Sequence, residues 1–178
     1  MKILSAVICL TIFSAIFSAG SVLCASAPIN GYGGARFGDS PEAIRQAFPG
    51  IEQSSICENI WSCELDNAPH LVFPRADFLF RDGKLEVICI SGTLTDSEIS
   101  KALIAKYGRP DTSSNTWDPN ADLTFTAIWN DARGNQLEFQ YHFDQTTSLR
   151  YVSVTRAKIL REEKNRLSKL QAGIVAGP

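Results

Sequence analysis

Hydrophobic and polar positions divide the chain into an apolar leader, two helix-then-strand stretches and a charged C-terminal segment. Asp39-Ser40-Pro41-Glu42 supplies a cap acceptor, a proline at the first helical position and an acid in the first turn. Ala43, Ile44, Ala47 and Phe48 form the apolar stripe of that helix, and Pro49-Gly50 ends it. Ile56–Leu65 and Leu71–Phe73 then read as strands. Ala76–Arg81 and Lys84–Ile90 flank Asp82-Gly83, the preferred two-residue hairpin turn. Counting back from that turn pairs Phe80 with Leu85, Phe78 with Val87 and Ala76 with Cys89, which places Cys89 in the core.

Thr95-Asp96-Ser97-Glu98 opens a second helix as a capping box, with Ile99, Ala102, Leu103 and Tyr107 as its stripe and Gly108 and Pro110 as its stop. Leu123–Trp129, Gln136–Phe143 and Leu149–Thr155 follow as strands. In the middle one Leu137, Phe139, Tyr141 and Phe143 alternate with Gln136, Glu138, Gln140 and His142, so one face is buried and the other wet. Arg133-Gly134-Asn135 marks the turn before it. The expected fold class is α+β, an antiparallel sheet with two short helices in a helix-strands-helix-strands repeat over residues 36–156. Residues 28–35 read as a flexible lead-in, 157–172 as a charged C-terminal helix partly packed on the sheet, and 173–178 as a frayed tail.

The leader fixes the expected location. Met1-Lys2, an apolar run from Ile3 to Phe17 and small residues up to Ala27 make the three-part pattern of a secretory signal peptide over residues 1–27. The competing reading is an uncleaved membrane anchor. Ala25-Ser26-Ala27 and Ser18-Ala19-Gly20 are both acceptable cleavage regions, and Cys24 offers lipid attachment as a third outcome. The protein is therefore expected to be periplasmic or secreted, touching membrane only through the leader or a lipid on Cys24. Residues 1–27 hold one basic and no acidic side chain, so removing them takes the formal net charge from −2 to −3. Basic residues then concentrate in the C-terminal segment, as Lys158, Arg161, Lys164, Arg166 and Lys169, and the preceding acidic part argues against nucleic acid as a partner.

Cys57, Cys63 and Cys89 remain after the leader. In an oxidising compartment a Cys57–Cys63 disulfide is expected, closed by a reversal at Glu58–Ser62, with Cys89 as a buried free thiol. Trp61, between the two cysteines at the expected hairpin tip, is the leading anchor for a partner, with Glu58 and Asn59 beside it. Trp117 is a further aromatic to watch, and Trp129 reads as core.

No catalytic or metal constellation stands out, and no cofactor is expected. His70 and His142 are the only histidines to serve a nucleophile, and neither has a placed Ser or Cys partner. Asp118-Pro119-Asn120-Ala121-Asp122 starts like a calcium loop, but Leu123 replaces the turn glycine and Trp129 the bidentate glutamate. Gly31, Gly33 and Gly34 lack the strand and Lys-Ser/Thr of a phosphate loop and read as linker.

Phe37-Gly38, Tyr107-Gly108-Arg109-Pro110 and the doubled helix-then-strands order resemble the β-lactamase-inhibitor-protein-like fold and the small SmpA/OmlA-type envelope lipoproteins over residues 36–156. Leu23 before Cys24 departs from the small residue that the lipoprotein members carry there. The resemblance implies a non-enzymatic domain that presents a sheet to a protein partner. The expected function is thus that of an exported binding protein whose partner is an envelope or exported protein, as an inhibitor, immunity or assembly factor. The alternative is a small metal-dependent or hydrolytic enzyme using His142, Glu138 and the Asp118–Asp122 loop.

Overall fold

A computed structural model describes residues 27–66, 68, 71–94, 98–118, 122–142 and 144–175. The leader with Cys24, His70, the Thr95–Ser97 cap, the centre of the Asp118–Asp122 loop, Phe143 and residues 176–178 lie outside them. A two-residue pair, β1 (Gly31–Tyr32) with β2 (Ala35–Arg36), precedes α1 (Pro41–Ala47). The strands β3 (Glu52–Gln53), β4 (Ile60–Glu64), β5 (Leu71–Arg81) and β6 (Lys84–Leu94) come next. After α2 (Glu98–Tyr107) the pattern recurs as β7 (Thr112–Asp118), β8 (Asp122–Asn130), β9 (Gln136–His142) and β10 (Thr146–Val152), and α3 (Val154–Val175) closes the described chain.

The eight strands β3 to β10 form one antiparallel sheet in the order β3-β4-β5-β6-β10-β9-β8-β7. Each half is a helix followed by a four-strand meander, and the last strands of the two halves, β6 and β10, meet at the centre. The fold is α+β with the doubled order expected from the sequence.

Local chemistry accounts for the elements. Ser40 caps α1, its Oγ accepting from the Ala43 N–H at 3.4 Å, and Pro41 occupies the first helical turn. Ile44 from α1 and Ile99, Leu103 and Tyr107 from α2 are buried on one face of the sheet, against Phe78, Ile88, Ile90, Leu137, Phe139 and Leu149. Asp82 and Gly83 both have positive φ, 51° and 72°, as a type I′ turn requires.

The register expected beyond that turn needs correction. Phe80 pairs with Leu85 as counted, but Leu79 pairs with Val87, Phe78 with Ile88 and Asp77 with Cys89. The extra residue on β6 is Glu86, and Leu85 beside it is held by distant backbone: its N–H donates to the Asp39 carbonyl and its carbonyl accepts from the Gly38 N–H, both at 2.9 Å. The resulting bulge reverses the alternation, so Val87 and Cys89 point to the face opposite α1 and α2. There Val87 and Val152 pack with Ala157, Leu79 and Leu160 as the first turns of α3 dock. Residues 161–169 of α3 are exposed.

Residues 28–35 are not a flexible lead-in. Ile29 is 1% exposed, Ala35 is buried, and Gly31–Tyr32 pairs with Ala35–Arg36. The holding point is Asp131, at the β8–β9 turn. Its carboxylate accepts from the N–H groups of Ile29, Arg133 and Asn135 and from the Asn135 side chain, at 2.9–3.1 Å. Asn135 in turn accepts from the Val154 N–H at 2.8 Å, which ties the start of α3 to the same node. The expected Ile56–Leu65 strand is also shorter: β4 begins at Ile60, and Ser54–Asn59 form a loop. Polar β7 has no hydrophobic alternation, and its pairing with β8 makes it an edge strand.

Candidate functional site

The reversal between β3 and β4 is made by Ser54–Asn59, and its conformation is set by hydrogen bonds rather than by a core. Ser54 donates its N–H to the Ile60 carbonyl at 2.8 Å, and its Oγ accepts from the N–H groups of Ile56 and Cys57 at 3.2 and 3.3 Å. The Ile60 N–H returns to the Cys57 carbonyl at 3.0 Å. Gln53 Nε2 holds the Glu58 carbonyl at 2.8 Å, and the Phe80 N–H holds that of Asn59 at 2.8 Å. Six bonds thus tie a seven-residue span to itself and to the sheet. At its tip Ile56 is 96% exposed, and the side chains of Glu58 and Asn59 are exposed beside it.

Trp61 does not share that exposure. It points to the helix-bearing face, half-buried, with its ring 6.3 Å from that of Phe80 and the Arg45 guanidinium 4.6 Å above it. Its ring stacks between α1 and β5, and the exposed apolar side chain of the loop is Ile56. The exposure of Ile56 was not expected from the sequence, which placed that residue inside a strand. The signal available was the surrounding run Gln53-Ser54-Ser55, followed by Glu58-Asn59, whose polarity suits a loop better than a strand.

Cys57, Cys63 and Cys89 are free thiols, so the expected Cys57–Cys63 bridge is absent from the structure. The reversal exists but is offset. Gln53 pairs with Trp61 and Glu52 with Ser62, so the chain brought alongside Cys63 is that of buried Ile51, while Cys57 sits in the loop. Burial, reinforced by Asp77, pushes the thiols of Cys63 and Cys89 above the usual range, which lowers their thiolate fraction at neutral pH.

Glu138 and His142, two residues of the enzymatic alternative, are not brought together. Glu138 is 7% exposed and is engaged by the Arg150 guanidinium across the strand pair and by Gln140 Nε2 at 2.8 Å. His142 Nδ1 lies 3.1 Å from Thr124 Oγ1. Four residues of strand separate the two, roughly 13 Å at ~3.3 Å each, too far to share a reacting atom. The backbones of Asp118 and Asp122 pair at the end of the β7–β8 hairpin, and their loop lies outside the described residues. Among the described residues no three His, Cys, Asp or Glu side chains are grouped to hold a metal ion. No helix among them is long and apolar enough to cross a membrane. Trp129 is buried and donates from Nε1 to the Gly108 carbonyl at 2.9 Å, fastening the end of α2 to the sheet.

A second apolar side chain is displayed at the other end of β4. Phe73 and Pro74 bulge out opposite Gly92, leaving Phe73 88% exposed at a φ of 51°. A bulky side chain in the left-handed region costs about 1–2 kcal/mol. Gly92 fits the close approach, since a Cβ there would stand 3.1 Å from the Val72 carbonyl oxygen. Compared with protein-family models, curated proteins and solved structures, this chain matches none, so its own fold and side chains carry the functional argument.

Proposed function

We propose that this chain is an exported, non-enzymatic protein of the cell envelope that acts by binding another envelope or exported protein, as an inhibitor, immunity or assembly factor. Its contact surface is the Ser54–Asn59 loop with the adjoining face of the sheet. The observation that carries the reading is Ile56, 96% exposed at the tip of a loop whose backbone is already fixed. Burying an isoleucine against a partner gives about 1.5–3 kcal/mol. Fixing a loop only on binding would cost ~1–2 kcal/mol for each residue ordered, and a preorganised loop avoids that cost. Glu58 and Asn59 expose polar side chains on the same loop as Ile56, in keeping with an apolar anchor beside a polar rim. The apolar leader, Ile3 to Phe17, supports the assignment to the envelope.

The test is affinity capture from an envelope extract with the wild-type protein, Ile56→Asp and Trp61→Ala. Ile56→Asp should lose the captured protein while keeping the wild-type melting temperature, since the side chain touches no core. Equal recovery of the same protein by wild type and Ile56→Asp would remove the loop from the contact.

A further inference from the structure

Where the first turns of α3 lie over the sheet, on the face opposite α1 and α2, they leave a half-open groove of about 250 Å³. The bulge at Glu86 creates it by turning Val87 and Cys89 onto this face. Leu79, Val87, Val152 and Leu160 line it with aliphatic carbon. At ~30 Å³ for each water-sized group it has room for about eight, a small site by the standard of ~300–1,000 Å³ ligand pockets.

Three charged side chains border these apolar residues, and two are already matched. Asp77 accepts from Ser62 Oγ at 2.6 Å and from Arg75 Nε at 3.0 Å. Arg150 is engaged by Glu138. Arg156, in the first turns of α3, has no ion-pair partner among the described residues, and its backbone is fixed by the bond from its N–H to Ser153 Oγ. The groove therefore combines an aliphatic floor with one uncompensated guanidinium, a group suited to bind a carboxylate through paired N–H donors.

From this we infer that the groove binds a free aliphatic carboxylate of about six to eight carbons, sized by the room for about eight water-sized groups. Its tail lies on Leu79, Val87, Val152 and Leu160, and its head group sits on Arg156. The groove lies on the sheet face that adjoins the loop, with Ile60 at its edge, but its ligand binding does not depend on the loop contact proposed above.

Cys89 lines the groove and reports on its occupancy. The purified protein is alkylated at pH 8.5 with a maleimide, with and without octanoate, and peptide masses give the labelling rate at each cysteine. Octanoate should slow labelling of Cys89 at least tenfold and leave Cys57 unchanged. Octan-1-ol should need at least ten times the concentration, and Arg156→Gln should lose the protection that Arg156→Lys partly keeps. Leu160→Trp, which fills the groove, should shield Cys89 without ligand and no longer bind octanoate by calorimetry. Ile56→Asp should behave as wild type, which separates this site from the loop. No protection at millimolar octanoate, equal protection by the alcohol, or full protection in a folded Arg156→Gln variant would each overturn the inference.

Discussion

Asp131 shows how one side chain can hold distant parts of a chain together. Its two carboxylate oxygens satisfy four donors, three of them backbone N–H groups, and it sits 9% exposed. Removing an acceptor from buried donors costs about 1–3 kcal/mol for each group left unpaired, less where water can enter. Asp131→Ala is therefore expected to lower stability by roughly 2–4 kcal/mol, read from a urea midpoint, and to free the Ile29 segment to proteolysis. An unchanged midpoint would show that the node is dispensable. Nothing local in the sequence marked this role, because Asp131 precedes a turn that Arg133-Gly134-Asn135 already explained. Its partner Ile29 lies 102 positions away.

At the level of elements, the legible features were those written in adjacent residues. The Ser40-Pro41 helix start, the Asp82-Gly83 turn and the stop at Gly108 all stand where their local chemistry put them. The Glu86 bulge was not legible, since Leu85 beside it is hydrogen-bonded to the backbone of Gly38 and Asp39, a segment distant in sequence. A single inserted position then moved Cys89 from the expected core to the opposite face. The disulfide expectation failed for a related reason: cysteine spacing requires a reversal but does not say where along the strand it falls.

The docking of α3 makes a prediction at this scale. Ala157 is 4% exposed against Val87 and Val152, whereas Leu167 is 55% exposed on the same helix. Ala157→Asp buries an unpaired charge and should cost at least about 3 kcal/mol. Leu167→Asp should change stability by less than about 0.5 kcal/mol. Thermal denaturation of the two variants reads both values, and equal losses would place the distal half of the helix on the domain.

For the whole molecule, the core on the helix-bearing face buries Tyr151 with the partly buried Tyr32 beside it, ring centroids 5.9 Å apart. Burial, followed by the nearby Tyr107, raises the Tyr151 phenol above its ordinary value, and burial raises Tyr32 as well. The unfolded chain ionises these groups near pH 10 while the folded chain keeps them neutral, so folding retains protons there. Their contribution is complete below about pH 10 and declines as pH rises past it. The urea midpoint should fall above that pH, and the fall should be smaller in Tyr151→Phe. Identical alkaline profiles would show that Tyr151 ionises freely in the folded state.

The same architecture leaves Ile56 and Phe73 displayed at opposite ends of β4, beside a sheet face that α1 and α2 do not cover. A rigid loop carrying an aliphatic tip is the central functional claim, and site-specific photo-crosslinking in intact cells tests it most directly. A photoreactive residue at position 56 should give one discrete adduct with an envelope protein, while the same residue at exposed Lys101 on α2 gives none. The same diffuse products from both positions, or no adduct at position 56, would contradict the account.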